Sequence, residues 1–311
     1  MYRTHSTGWG SLSVPTCHRI AALAICLPVL AFAGCAGRQD GDGELTIIRV
    51  EGSDTMVNIA QAWAERYHQA HPEVSVQVLG GGSGVGIASL TEGNCDMANS
   101  SRDINAKEAE AIRQRRGVAP VEHIVGYDAL AVYVHPSNPL DSISIEELAA
   151  IYGESGRVYH WSQLGVAHRV RGRDDIVRIG RQNSSGTYTY FREAVLGKKR
   201  DFALGSVDRS GSKDVVALVS RTPLAIGYSG MGYQTLDVKL LRVSRKKGEP
   251  GIAPTVPNAR RRGADGYPLS RALQVYTAGE PDGAAAEYLR WMASPPGQAI
   301  VAELGYVPLG D

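Results

Sequence analysis

Four times in this chain a short apolar run ends in a cluster of Gly, Ser, Thr or Asn, and a helix-like run follows. The clusters are Gly52-Ser53-Asp54-Thr55-Met56, the stretch GGGSGVG over 80–86, Asn99-Ser100-Ser101-Arg102-Asp103, and Arg181-Gln182-Asn183-Ser184-Ser185-Gly186-Thr187. Strands that alternate with helices across such turns build a largely parallel sheet covered by helices. The repetition therefore constrains the chain to an α/β fold.

The apolar periods place the elements. Strands are expected over 45–50, 74–79, 96–98, 121–125, 129–135, 177–180, 224–228, 238–243 and 273–276. Helices are expected over 55–71, 87–92, 106–116, 145–152, 186–196, 284–292 and 297–304. In the first helix Ile59, Trp63 and Tyr67 recur at i, i+4 and i+8 on one face. The stretch 246–266 is rich in Pro, Gly and Arg without a period and reads as a loop. At 311 residues the chain suits two lobes of ordinary size. Its formal net charge of +1 gives no basic field, which argues against a nucleic-acid partner.

The N-terminus reads as a targeting segment. Arg3 and Arg19 precede an apolar run over 20–34, too short for a comfortable membrane span. The run stops at Cys35 after Phe32-Ala33-Gly34, which resembles a bacterial lipobox. That resemblance implies a signal peptide over 1–34, lipid on Cys35, and a polar tether over 35–43. Cys17 and Cys26 fall in the leader. Cys95 alone remains in the folded part, so no internal disulfide forms there, and it reads as a small buried hydrophobe.

The four clusters share a chemistry. The first N–H groups of a helix have no internal partner and sit at the positive end of its dipole. Glycine permits close approach, and Ser or Thr hydroxyls add donors. A helix start of this kind holds an anion without a lysine. Arg181 adds a fork of donors that matches two oxygens of an oxyanion. The competing motifs are missing. GGGSGVG is not followed by Lys-Ser or Lys-Thr, and no G-x-G-x-x-G or G-x-S-x-G occurs around these serines. The histidines are scattered with no H-E-x-x-H, so neither a metal nor a cofactor is expected.

In this order, GSDTM, GGGSGVGIASL, DMANSSRD, RQNSSGTYTYF and LAIGYSG resemble the phosphate-binding proteins of bacterial Pst-type ABC transporters, over about 46–308. The resemblance implies the type 2 periplasmic-binding-protein fold, with two α/β lobes and the ligand in the cleft between them. Lobe one would hold 44–127 and 267–311, and lobe two 128–266. It also implies the site. Arg181 would make the charged contact, with donors from Ser185, Gly186 and Thr187, from Ser83, and from Thr55 with the Met56 N–H. Ser101 stands where better-known members place an aspartate that accepts a proton from phosphate. Asp54 is the alternative acceptor, and Gly84 and Arg102 lie in the same motifs as further candidates.

The implied partners are inorganic phosphate, an ABC permease and a membrane reached through the lipid anchor. The protein would work as a monomer in the periplasm or at the cell surface, and would not be an enzyme. Two alternatives stand beside this reading. One is a receptor for sulfate or another oxyanion. The other is a Ser-dependent phosphohydrolase using Ser83 or Ser185.

Overall fold

Alternation of strand and helix governs the chain from its first ordered element. The structure, a computed structural model, describes residues 45–261 and 263–310. The expected leader, the tether and Cys35 lie outside the described residues. In chain order the elements are β1 (Thr46–Gly52), α1 (Val57–Ala70), β2 (Val74–Leu79), α2 (Ser83–Glu92), β3 (Met97–Ser100), α3 (Ala106–Arg116), β4 (Pro120–Val134), β5 (Ser142–Ser144), α4 (Ile145–Tyr152), β6 (Val177–Arg181), α5 (Gly186–Leu196), β7 (Val207–Arg209), α6 (Ser212–Val219), β8 (Ala225–Gly230), β9 (Lys239–Leu240), β10 (Arg242–Ser244), α7 (Val256–Arg260), β11 (Ser270–Ala278), α8 (Gly283–Ala293) and α9 (Pro295–Glu303).

The main sheet runs β2-β1-β3-β11-β4-β8-β6-β7. β1 pairs in parallel with β2 and β3, and β6 in parallel with β7 and β8. Between these two parallel halves lie β11 and β4, which are antiparallel to each other and to their outer neighbours. β4 is the joint. It pairs with β11 up to Ala129 and with β8 from Leu130 onward. The fold is thus mixed α/β, as the alternation predicts, with the two lobes that the chain length and the resemblance imply.

Each half has its own core. In the first, Ile59 and Trp63 of α1 pack with Ile48 and Val50 of β1 and with Tyr288 and Met292 of α8. The Trp63 indole donates to Gly297 O at 2.8 Å and pins α1 to α9. In the second, Phe191 of α5 stacks on Tyr228 of β8, with centroids 3.8 Å apart. Tyr152 meets both rings edge-on, and its buried hydroxyl donates to Ile226 O. Aromatic packing of this geometry stabilises beyond simple area burial.

Several sequence expectations need correction. The strands expected over 121–125 and 129–135 are one strand of 15 residues. Gly126-Tyr127-Asp128 looks like a break but stays paired with β11, and the register shift falls just before it, at Val125 opposite Leu273 and Gln274. The strand expected over 238–243 is two, because its first part pairs with β4 and its second with β5. Helix α6 has no counterpart in the expectations, since its Val-rich run carries little helical propensity of its own. Asp214 accepts from the Gly211 N–H and starts it. The loop expected over 246–266 contains α7, begun by Thr255, whose hydroxyl accepts from Asn258 N–H. Helix α2 starts at Ser83, inside the glycine cluster, rather than at 87.

Trp63→Ala is expected to cost about 3–5 kcal/mol, the range for truncating a buried aromatic. Urea unfolding followed by circular dichroism measures it. A loss below about 1 kcal/mol would contradict the assignment of Trp63 to the first core.

Candidate functional site

In an α/β sheet the loops at the carboxyl ends of parallel strands converge, and ligands bind there. All four polar clusters occupy such ends. β1 runs into Ser53–Met56, β2 into 80–82, β3 into Ser101–Asp103, and β6 ends at Arg181. The turns of the first half meet the turn and helix start of the second. Thr55 Oγ1 lies 2.7 Å from Thr187 Oγ1. Ser53 Oγ donates to Ser101 Oγ at 2.9 Å, and the Ser101 N–H donates to Ser83 Oγ at 3.1 Å. The Gly84 N–H donates across to Ser184 O at 3.0 Å. Ser53, Thr55, Ser83, Ser101, Ser185 and Thr187 are all buried.

This approach depends on two glycines. Gly82 has φ of 101°, and a Cβ there would lie 2.6 Å from Ser184 O. A Cβ on Gly186 would collide with Ser83 Oγ and come within 2.8 Å of Ser101 Oγ. Gly186 is also the first residue of α5, so its N–H belongs to the outward-pointing group at the helix start. Ser185 caps that helix, accepting from the Thr187 N–H at 3.2 Å.

The guanidinium of the site is as buried as the hydroxyls. Arg181 has no exposed side-chain surface. Its Nη1 donates to Ser212 Oγ at 2.9 Å, its Nη2 to Ser210 O at 2.6 Å and to Asp54 Oδ2 at 3.1 Å. Burial pulls its pKa below the ordinary value, Asp54 opposes the shift, and Arg271 adds to it. A guanidinium keeps its proton in proteins, so Arg181 remains a buried cation paired with Asp54. Asp54 receives the Gly81 N–H on its other oxygen at 3.0 Å. It therefore joins the first turn, the glycine turn and Arg181. Tyr233 Oη donates to Asp54 O, and Tyr306 Oη to Thr55 O, which hold the first turn from behind.

The structure thus brings together Asp54, Thr55, Ser83, Ser101, Arg181, Ser185, Gly186 and Thr187. Three other expected residues are engaged elsewhere. The Met56 N–H donates to Ser53 O, closing the turn. The Gly84 N–H is taken by Ser184 O. Arg102 forms a two-pronged pair with Glu108 at 2.8 and 2.6 Å, and its Nη1 also donates to Asp103 O.

Sequence reasoning missed Arg271 and Asp128, a buried pair joined at 2.8 Å. In sequence Asp128 stands between two expected strands and Arg271 just before another, and the available signal was a charge beside each apolar run. It also missed Ser212, which sits in the unexpected helix α6. The six described histidines are occupied away from the site: His68 with Val74 O, His71 with Glu73, His123 with Thr277, His135 with Ser137, His160 with Asp174 and His168 with Pro223 O. Neither Ser83 nor Ser185 is hydrogen-bonded to one, so the geometry gives these hydroxyls no imidazole base.

Known proteins agree with this architecture. The sequence profile of the PBP superfamily domain matches residues 37–296. The phosphate-binding protein PstS of Pseudomonas aeruginosa is 35% identical over 268 residues, which cover 83% of this chain and 81% of that protein. This chain belongs to the PstS family of the PBP superfamily. Another PstS relative, from Bacillus subtilis, is 32% identical over 278 residues, covering 88% of this chain and 84% of its own. Among solved structures, a phosphate ABC transporter substrate-binding protein with bound phosphate from Clostridium perfringens superposes with a TM-score of 0.74 at 25% identity. The match covers 85% of this chain and 100% of that one. An ABC-type phosphate transport receptor from Vibrio cholerae gives 0.66 at 26% identity, over 84% and 100%. The named relatives are phosphate-binding and phosphate-transport proteins.

Gly186→Ala separates closure from folding. Replacing a helical glycine by alanine favours the helix by about 1 kcal/mol. The collision with Ser83 costs about 1–3 kcal/mol, and it arises only with the halves together. The variant is expected to keep its melting temperature and bind an oxyanion at least about tenfold more weakly. Unchanged affinity by titration calorimetry would show that the halves need not approach this closely.

Proposed function

We propose that this protein is an extracytoplasmic receptor that closes on inorganic phosphate and delivers it to an ABC permease. The observation that carries the reading is the seat of Asp54. Its carboxylate accepts from Arg181 of the second half and from the Gly81 N–H of the first, and the next residue, Thr55, meets Thr187 across the halves. Donors alone bind any tetrahedral oxyanion. A carboxylate among them accepts a hydrogen bond from a protonated phosphate oxygen. Sulfate has no proton at neutral pH, so its oxygen would oppose the carboxylate with nothing between them.

In this reading Arg181, Thr55, Ser83, Ser101, Ser185, Gly186 and Thr187 donate to the anion, and Asp54 accepts. Arg102 and Gly84 support the walls through Glu108 and Ser184. Lobe one comprises 44–127 and 267–311, lobe two 128–266, with the crossing strands as hinge. The protein acts as a monomer and performs no chemistry. Lipid on Cys35 ties it to a membrane surface in the periplasm or on the cell exterior. Among the described residues, no helix is long and apolar enough to cross a membrane.

Titration calorimetry with phosphate and sulfate tests the ligand. Arg181→Ala is expected to weaken phosphate binding by about 2–5 kcal/mol, because the anion loses its charged donor and faces Asp54 without the counter-ion. Asp54→Asn, whose amide can donate, is expected to lose the preference for phosphate over sulfate. Tighter sulfate than phosphate binding by the unaltered protein would overturn the assignment.

The anchor has its own test. Cells fed radiolabelled palmitate should label the protein, and Cys35→Ala should abolish the label. Labelling that persists in that variant would contradict the anchor at Cys35.

A further inference from the structure

Arg271 and Asp128 form a second buried ion pair, on the two strands that join the halves. Arg271 belongs to β11 and Asp128 to β4. Both are almost without exposed surface. Asp128 Oδ2 receives Arg271 Nε at 3.1 Å and Nη2 at 2.8 Å, and its Oδ1 receives the Met231 N–H at 3.2 Å. The carboxylate thus fixes the plane of the guanidinium. Replacing a buried pair of this kind by apolar residues often costs no stability, so stability alone is a weak reason for it.

The remaining donors of Arg271 point at the candidate site. Nη2 donates to Thr55 Oγ1 at 3.2 Å, and Nη1 to Ser101 O at 3.2 Å. Behind it, the ring of Tyr190 lies 5.5 Å from the guanidinium carbon. A hydroxyl has one proton and two lone pairs, and a guanidinium only donates. One lone pair of Thr55 is therefore taken by Arg271 from inside the protein. Thr55 also contacts Thr187 Oγ1, so few directions remain for its proton.

We propose that Arg271, held by Asp128, is a positioning residue of the anion site: it occupies a lone pair of Thr55 and turns the hydroxyl into a donor aimed at the ligand. The inference rests on the reading of this cleft as a phosphate site. Arg271 does not touch the anion. It acts through Thr55, and its grip on Ser101 O holds the neighbouring turn at the same height.

A mutant cycle tests this, with inorganic phosphate titrated into purified protein. The four proteins are the wild type, Thr55→Val, the pair Arg271→Met with Asp128→Asn, and all three substitutions together. Changing both members of the pair leaves no unpaired buried charge. Thr55→Val and the pair are each expected to weaken binding about 10–100-fold, the value of a hydrogen bond to a charged group. The triple variant is expected to be no more than about threefold weaker than the worse of the two, because both act through one hydroxyl. Arg271→Lys, which keeps a charge and a donor, should bind more tightly than the paired variant.

A triple variant weakened by the product of the two factors would overturn the proposal. So would wild-type affinity in the paired variant. If the pair fails to fold by circular dichroism, the cycle is run with Arg271→Leu and Asp128→Leu, which also leave no unpaired charge, in its place under the same criterion. Wild-type protein that binds no phosphate would sink the phosphate reading and this proposal together. Wild-type binding with independent effects would sink the positioning role alone.

Discussion

A guanidinium stripped of water needs partners on every side, and the architecture around Arg181 supplies them. Its strand, β6, ends at the carboxyl edge of the sheet, so the side chain enters the cleft directly. Ser210 and Ser212 engage it from the turn into α6, and Asp54 from the opposite half. An ion buried without such contacts would be destabilised by several kcal/mol, about the whole margin of a folded domain. The position of α6, the turn after β1 and the closeness of the two halves all serve this one charge.

The second pair makes the electrostatics sharper. Arg181 with Asp54 and Arg271 with Asp128 are each neutral in sum. The cleft therefore does not attract an anion by net charge. What remains unspent is dipolar: hydroxyl groups and the first N–H groups of helices such as α5. Such groups, fixed in a dry site, stabilise an anion without the reorganisation that water would need. They also demand close approach, which is why Gly82 and Gly186 stand where any side chain would separate the halves.

Much of this was legible in the chain, for local reasons. Helices α3, α4 and α5 have the bounds that the apolar period and the caps predict. Asn105 and Ser144 each receive N–H groups of the helix they start, and Ser185 does the same for α5. The polar turns were legible because a helix start written in Ser, Thr and Gly has few uses. Long-range facts were not. The continuity of β4 through Gly126-Tyr127-Asp128 comes from its pairing with β11 there and with β8 from Leu130 onward, which no local pattern records. Arg271 lies 143 residues from Asp128 and 216 from Thr55. Only the folded sheet brings a charge in one strand beside a charge in another. Asp54 was legible as a candidate acceptor, but its contact with Arg181 spans 127 residues and appears only in three dimensions.

The central claim is a location: an oxyanion seated between the two halves, on the guanidinium of Arg181 and the hydroxyls around it. A crystal structure of the protein grown with phosphate tests it most directly. The account predicts one phosphate with oxygens in hydrogen-bond range of Arg181, Ser83, Ser101 and Thr187, and one oxygen facing Asp54. Phosphate bound at full occupancy elsewhere, with Thr55 and Thr187 still joined to each other and the cleft unchanged, would contradict it.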